Sequence, residues 1–393
     1  MPTSTETSFT LTDETTRQEA IERLSRYLPL RADGYECSTE MILDILLKAA
    51  SNRQTIETTC NNLEHMVQGE TIRGYLNDQI RVDDLHSLEQ NLNQALVAGL
   101  PRRLRKAKLH VAIDFHDEPF YGHSPELVAY TCRGEAKQGT TRFFRLATAY
   151  VIFKDMRVTL ALLLVRPEDE TSALVAALLR RLRILGLTMA RLYLDKGFCS
   201  IPVIRHIQES GLPAILACPK RGKQGGTRGL CQGRASYQTQ HTFKSSQYGS
   251  YTAPVVLART YTSHQPSQRR GRRATWLVFV VLNCSLAPNR VRHCYRRRFG
   301  IETSYRCMGY VRAWTTSRNA ALRFLLMGLS CILLNLWLEL RWRFCQIKQR
   351  RGPRQVDTRR FELQRLISFL SHAIDRIYGV VSFIHADVVP LGV

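Results

Sequence analysis

The chain has no Cys-x-x-Cys pair and no short cysteine-histidine cluster, although eleven cysteines are scattered from Cys37 to Cys345. That spacing argues against a structural zinc module and fits a reducing compartment. No apolar stretch reaches the roughly twenty residues of a membrane span. The longest, Phe324 to Leu338, is bounded by Arg323 and Glu339 and contains Asn335, so a buried core helix is expected and a membrane partner is not. The start, Met1 to Thr7, lacks the basic-then-apolar order of an export signal, which favours the cytoplasm. Residues 221–229 are rich in glycine but miss the Gly-x-x-x-x-Gly-Lys-Ser/Thr spacing, so nucleotide hydrolysis is not supported. Acids are also scarce, 33 Asp and Glu against 56 Lys and Arg, for a net charge of +23. Such an excess favours nucleic acid or an anionic surface, and charge alone does not choose between them.

What is present is enough for two or three domains, with an ordinary hydrophobic share of 44% in 393 residues. A polar segment, 1–36, precedes a helical region, 37–105. There Thr39 to Ala50, Thr55 to Met66 and Glu70 to Ile80 read as short helices of the kind found in helix-turn-helix units. On that reading Thr71, Arg73, Tyr75 and Asn77 are the DNA contacts, and a plain helical bundle is the alternative. A further helix, Val82 to Leu100, leads to the basic connector Pro101 to Lys106.

From Leu109 the period changes to that of strands. Strands are expected at 110–115, 127–131, 143–153, 157–165, 190–194 and 213–218, with helices at 171–185 and 200–210. This order, β-β-β-α-β-α-β with one more strand, resembles a ribonuclease-H-like mixed α/β core across 106–345. A β-rich insertion at about 219–288 carries strands at 254–261 and 275–284. A helix from about 291 to 312 follows, and 346–393 forms a basic linker and a helical tail with a last helix at 361–378.

Three acids stand where an acid is costly unless it binds something. Asp114 ends the apolar run Leu109 to Ile113, Asp195 ends Arg191 to Leu194, and Glu302 lies in a basic segment, Tyr295 to Glu302. Strand carboxyl ends are where open α/β sheets place their sites, so the first two acids can meet although far apart in sequence. Carboxylates supply the hard oxygens that divalent metals require. Beside a strongly basic chain, that chemistry points at a phosphodiester backbone.

Three stretches, Ile113-Asp114-Phe115-His116-Asp117, Tyr193-Leu194-Asp195-Lys196-Gly197-Phe198 and Tyr295-Arg296-Arg297-Arg298-Phe299-Gly300-Ile301-Glu302, together resemble the acidic triad of insertion-sequence DDE transposases. The last is similar to their Tyr-x-x-Arg-x-x-x-Glu element. The resemblance implies that Asp114, Asp195 and Glu302 are the catalytic metal ligands for two Mg²⁺ ions, with Mn²⁺ able to substitute. Asp114 would bridge the ions. Tyr295 and Arg298 would contact flanking phosphates, and Lys196 is a further candidate. That element often continues to a Lys seven positions after the Glu; here the position is Gly309, and Arg306 or Arg312 is the candidate replacement. The implied activity is cutting the ends of the chain's own element and joining them to double-stranded target DNA, as a homodimer in the DNA complex, in a prokaryotic, nucleoid-associated setting. The alternatives are a catalytically inactive DNA-binding derivative and a metal-dependent nuclease. Tyr237, Tyr248 and Tyr251 could stack on bases or simply pack, and the cluster Gln268 to Arg273 could touch the backbone.

Overall fold

The computed structural model describes residues 10–153, 156–222, 224–262, 273–347 and 355–383. The amino-terminal helices are α1 (Asp13–Tyr27), α2 (Thr39–Asn52), α3 (Ile56–Asn61), α4 (Gly69–Gln79) and α5 (Leu85–Val97). Helix α1 starts at a Thr12–Thr15 capping box with Asp13 and Glu14 in its first turn, where acids complement the helix dipole. The polar composition of 1–36 therefore conceals a helix. Helix α2 is capped by Ser38, whose side chain accepts from the Met41 amide, and it ends where Arg53 turns left-handed at φ 56°.

The middle of the chain holds α6 (Arg102–Lys106), β1 (Lys108–Pro119), α7 (Pro125–Val128), β2 (Cys132–Lys137), β3 (Thr140–Phe153), β4 (Met156–Val165), α8 (Thr171–Ile184), β5 (Thr188–Leu194), α9 (Ile201–Glu209), β6 (Ala214–Cys218), β7 (Tyr237–Ser245), β8 (Gly249–Thr262), β9 (Arg273–Leu282), α10 (Pro288–Tyr295) and α11 (Gly300–Met308). Helices α12 (Ala320–Phe344) and α13 (Leu363–Tyr378) follow. Two compact units result, Met1–Gly99 with Arg306–Val393, and Leu100–Tyr305. The two ends of the chain thus share one unit, whereas the linear reading set them apart as separate segments.

In the helical unit, α12 is longer than its apolar run suggests. By length and composition it could cross a membrane, yet 83% of its most apolar window is buried. Asn335, the polar residue inside it, donates to the Leu96 carbonyl at 3.0 Å, which satisfies a buried amide. Near the other helices, buried Asp44 of α2 accepts from Arg17 of α1 at 2.7 and 2.5 Å and from the Tyr378 hydroxyl of α13 at 2.9 Å.

The second unit is built on one mixed sheet in the order β2-β3-β1-β5-β6-β9-β8-β7, with β4 also on β3. Strand β1 runs antiparallel to β3 and parallel to β5, which is parallel to β6. This is the ribonuclease-H-like mixed sheet expected from the sequence. The insertion extends that sheet rather than standing apart, because β9 pairs with β6 from Ala214↔Leu282 to Cys218↔Val278. Along it, Ala112, Tyr150, Tyr193, Ile215, Phe279 and Tyr295 join one buried cluster.

Several local expectations change. Residues 127–131 do not form a strand; Pro125 at the first position starts the short helix α7 there, and the strand comes later, as β2. Strand β7 precedes the two strands expected in the insertion. The single helix expected over 291–312 is α10 and α11 joined by a 3₁₀ turn, Arg296–Phe299. Asp114 lies within β1, not at its end, since the strand continues to Pro119 through polar residues. Residues 154–155, between two expected strands, and residues 268–272 of the basic cluster lie outside the described residues.

Candidate active site

Three segments far apart in sequence deliver the acids to one place. Asp114 comes from β1, the strand between antiparallel β3 and parallel β5; Asp195 caps the 3₁₀ turn Lys196–Phe198 just after β5; Glu302 lies in the first turn of α11. All three converge on Arg298. Its Nη1 lies 2.6 Å from Asp114 Oδ2, and its Nη2 lies 3.2 Å from Asp195 Oδ1 and 3.4 Å from Glu302 Oε1. The 3₁₀ turn carries Arg298 inward, where only 5% of it is exposed.

Tyr295 fixes that guanidinium. Its hydroxyl accepts from Arg298 Nε at 2.9 Å and donates to the Leu194 carbonyl at 3.2 Å, at the end of β5. Tyr295 and Arg298, expected to meet DNA phosphates, are therefore buried here, with their polar atoms engaged by the chain itself. Burial pushes the Tyr295 hydroxyl well above its ordinary range, so it stays protonated.

The electrostatics are graded by exposure. The Asp114 side chain is 14% exposed, Asp195 33% and Glu302 55%. Burial raises Asp114 from 3.8 to about 6; Arg298 pulls it down, and nearby Asp195 adds to the rise. Burial alone would lower Arg298, but Asp114 and its other neighbours move it upward, so it is a permanent cation.

A residue not singled out in the sequence completes the frame. The Tyr305 hydroxyl donates to the Asp114 carbonyl at 3.1 Å and meets Thr148 Oγ1 at 2.6 Å, bridging β1 and β3 where Asp114 faces Thr148. Its place one helical turn after Glu302 was the available signal. Next in sequence to Asp114, Phe115 stacks on buried Phe198 at 4.4 Å. Asp117 takes a two-point contact from Arg145 at 2.6 and 3.2 Å.

The remaining candidates lie elsewhere. Lys196 is exposed on the turn after Asp195, and Arg306 is exposed on α11. Arg73, on α4, pairs with Glu57 at 3.1 Å, with both side chains half exposed. Tyr237 donates to the Leu230 carbonyl and meets Trp276 edge-on, and Tyr251 lies under Arg205 at 5.6 Å, so both pack within the protein.

The site opens on a cleft of about 980 Å³. Its acids are the hard-oxygen donors that a divalent ion needs, and they already surround one cation. That cation occupies their oxygens, however, and among the described residues no three acidic, histidine or cysteine side chains stand as a ready ligand group. Arg298 must yield at least Asp114 Oδ2 for an ion to be held there.

The chain belongs to the family described as the transposase DDE domain, whose model matches residues 105–336. No curated protein matches the sequence. Among solved structures it is similar to the piggyBac transposase, determined by cryo-electron microscopy as a synaptic complex with hairpin DNA. The TM-score is 0.56 at 11% identity, over 96% of this chain and 82% of that one.

Proposed function

We propose that this transposase cuts the ends of its own element by hydrolysis and joins them to double-stranded target DNA by transesterification at Asp114, Asp195 and Glu302. The convergence of these three acids on the Arg298 guanidinium carries the reading. The mixed sheet and the family support it, and a structural neighbour solved with hairpin DNA supports DNA ends as substrate. The homodimer expected in the DNA complex, and a cytoplasmic, nucleoid-associated setting, belong to the same proposal.

In this reading Asp114, Asp195 and Glu302 hold Mg²⁺, or Mn²⁺ in its place. When bound, such ions activate an attacking oxygen and stabilise the charge on a leaving 3′-oxygen. The chain's own contribution is placement. Tyr305 fixes the Asp114 backbone to β3, and Tyr295 fixes Arg298 to the end of β5. Arg298 neutralises the carboxylates, and with the acids holding ions its guanidinium would be available to a phosphate oxygen.

The test supplies a donor with pre-cut 3′ ends, a target plasmid and Mg²⁺ to the wild type and to Asp114→Asn, Asp195→Asn and Glu302→Gln. Each variant should lose strand joining while DNA binding persists. Wild-type joining by any one removes that residue from the site. Cutting without joining by the wild type favours a nuclease, and binding alone favours an inactive derivative.

A further inference from the structure

The acidic floor is one end of the cleft; the other is cationic. Strand β2 turns into β3 at Gln138 and Gly139, both left-handed with φ 51° and 79°, the backbone of a tight two-residue hairpin turn. In this hairpin Arg133 faces Arg142 directly across the strands. Directly opposed residues of an antiparallel pair share a face, with Cβ atoms roughly 5 Å apart, and like charges there are destabilising. Both arginines line the cleft, and neither makes an ion pair among the described residues.

The adjoining strand pair does the opposite. Asp117 of β1 faces Arg145 of β3, and the two form an ion pair. The folded chain therefore neutralises charge at one cross-strand position and leaves two positive charges opposed at the other. Arg166, exposed on the turn after β4, lines the same cleft and lies over the Tyr130 ring at 5.6 Å. Counting Lys137 and Arg145 with these three against Asp117 and Asp169, the outer wall has an excess of three positive charges. The inner end, with three acids and Arg298, has an excess of two negative ones.

We infer that the β2–β3 hairpin is a phosphate seat. Arg133 and Arg142 grip the backbone of the DNA strand that leaves the acidic site, and Arg166 meets a neighbouring phosphate. The inference rests on the transposase reading of that site and adds the path of the strand. A phosphodiester between the two guanidinium groups converts their repulsion into two charge-assisted hydrogen-bonded contacts. Because it grips backbone, the seat is indifferent to base sequence.

The test uses the full chain and a fluorescein-labelled 30-base-pair duplex of arbitrary sequence, with anisotropy titrations across a range of KCl. Each neutralised phosphate contributes roughly 0.9 to the slope of log affinity against log salt, and the two arginines share one, so an Arg133→Gln/Arg142→Gln double variant should be shallower by about 0.9. A control with the same loss of charge, Arg180→Gln/Arg183→Gln on the exposed side of α8, should keep the wild-type slope. The hairpin variant should also melt no lower than the wild type, because a repulsion has been removed. Wild-type binding with an unchanged slope in the hairpin variant, an equal change in the control, or a lowered melting temperature overturns the seat and leaves the transposase reading intact. Absence of salt-dependent binding by the wild type overturns both.

Discussion

Arg298→Gln should destabilise the protein by an amount that depends on pH. Ionised Asp114, with a folded value of about 6 against 3.8, lowers wild-type stability by about 3 kcal/mol once pH exceeds 6. The sign follows from linkage. A carboxyl whose folded pKa is raised leaves stability intact below pH 3.8 and removes it as pH climbs through 6, where the loss levels off. Without the guanidinium the folded value moves higher, so the loss continues to grow by about 1.4 kcal/mol per pH unit. Through this route the variant should lie within about 1 kcal/mol of wild type at pH 6 and about 3 kcal/mol below it at pH 8. That larger figure agrees with the roughly 3–5 kcal/mol lost when one partner of a buried ion pair is removed. Glu302 adds little, because more than half of its side chain is in water, where such pairs contribute about 0–1 kcal/mol. Urea unfolding of both proteins at pH 6 and pH 8, with EDTA present, measures the difference. Equal losses at the two pH values would refute the idea that a buried Asp114 carboxylate is what Arg298 compensates.

Two further substitutions probe the frame. Tyr305→Phe removes the hydroxyl shared by Thr148 and the Asp114 carbonyl, and should lower stability by about 1–2 kcal/mol and slow strand joining without weakening DNA binding; unchanged joining would deny Tyr305 its positioning role. In the helical unit, a Cβ at Gly328 would stand 2.7 Å from Leu92 Cδ1, so Gly328→Ala should cost about 1–3 kcal/mol in thermal unfolding. Shortening Leu92 to Ala in the same chain should return part of that loss, and simple addition of the two effects would argue against a steric cause.

The long apolar strands and helices were legible because their period follows burial. Helix α8, with Leu174, Leu178 and Leu182 inward, matches its pattern to within a residue. The strands of the large sheet that were missed, β2 and β7, are its edges. Strand β2, Cys132-Arg133-Gly134-Glu135-Ala136-Lys137, pairs with one neighbour and has exposed positions, so nothing in its composition demands alternation. Strand β7 alternates exposed and partly buried positions and has none fully buried. At the site, the three acids could be named from their contexts and from the resemblance. Arg298 was named too, but as a phosphate contact rather than as their common partner, because placing it with Tyr295 and Glu302 on one face assumes a regular helix. The 3₁₀ turn between α10 and α11 redirects Arg298 toward the acids.

The helical unit has a consequence for biosynthesis. Its core helix α12 begins at residue 320, while α1 to α5, with which it shares that unit, are finished by residue 97. Some 220 residues separate the end of α5 from the start of α12, and all of them must leave the ribosome before Leu96 can meet Asn335 or Arg23 can meet Glu339. At about 5–20 residues per second that is a wait of roughly 10–45 s. During it the faces of α2 and α5 that α12 covers stay open, so nascent chains should lean on holding chaperones, and crowded overexpression should aggregate at this step first.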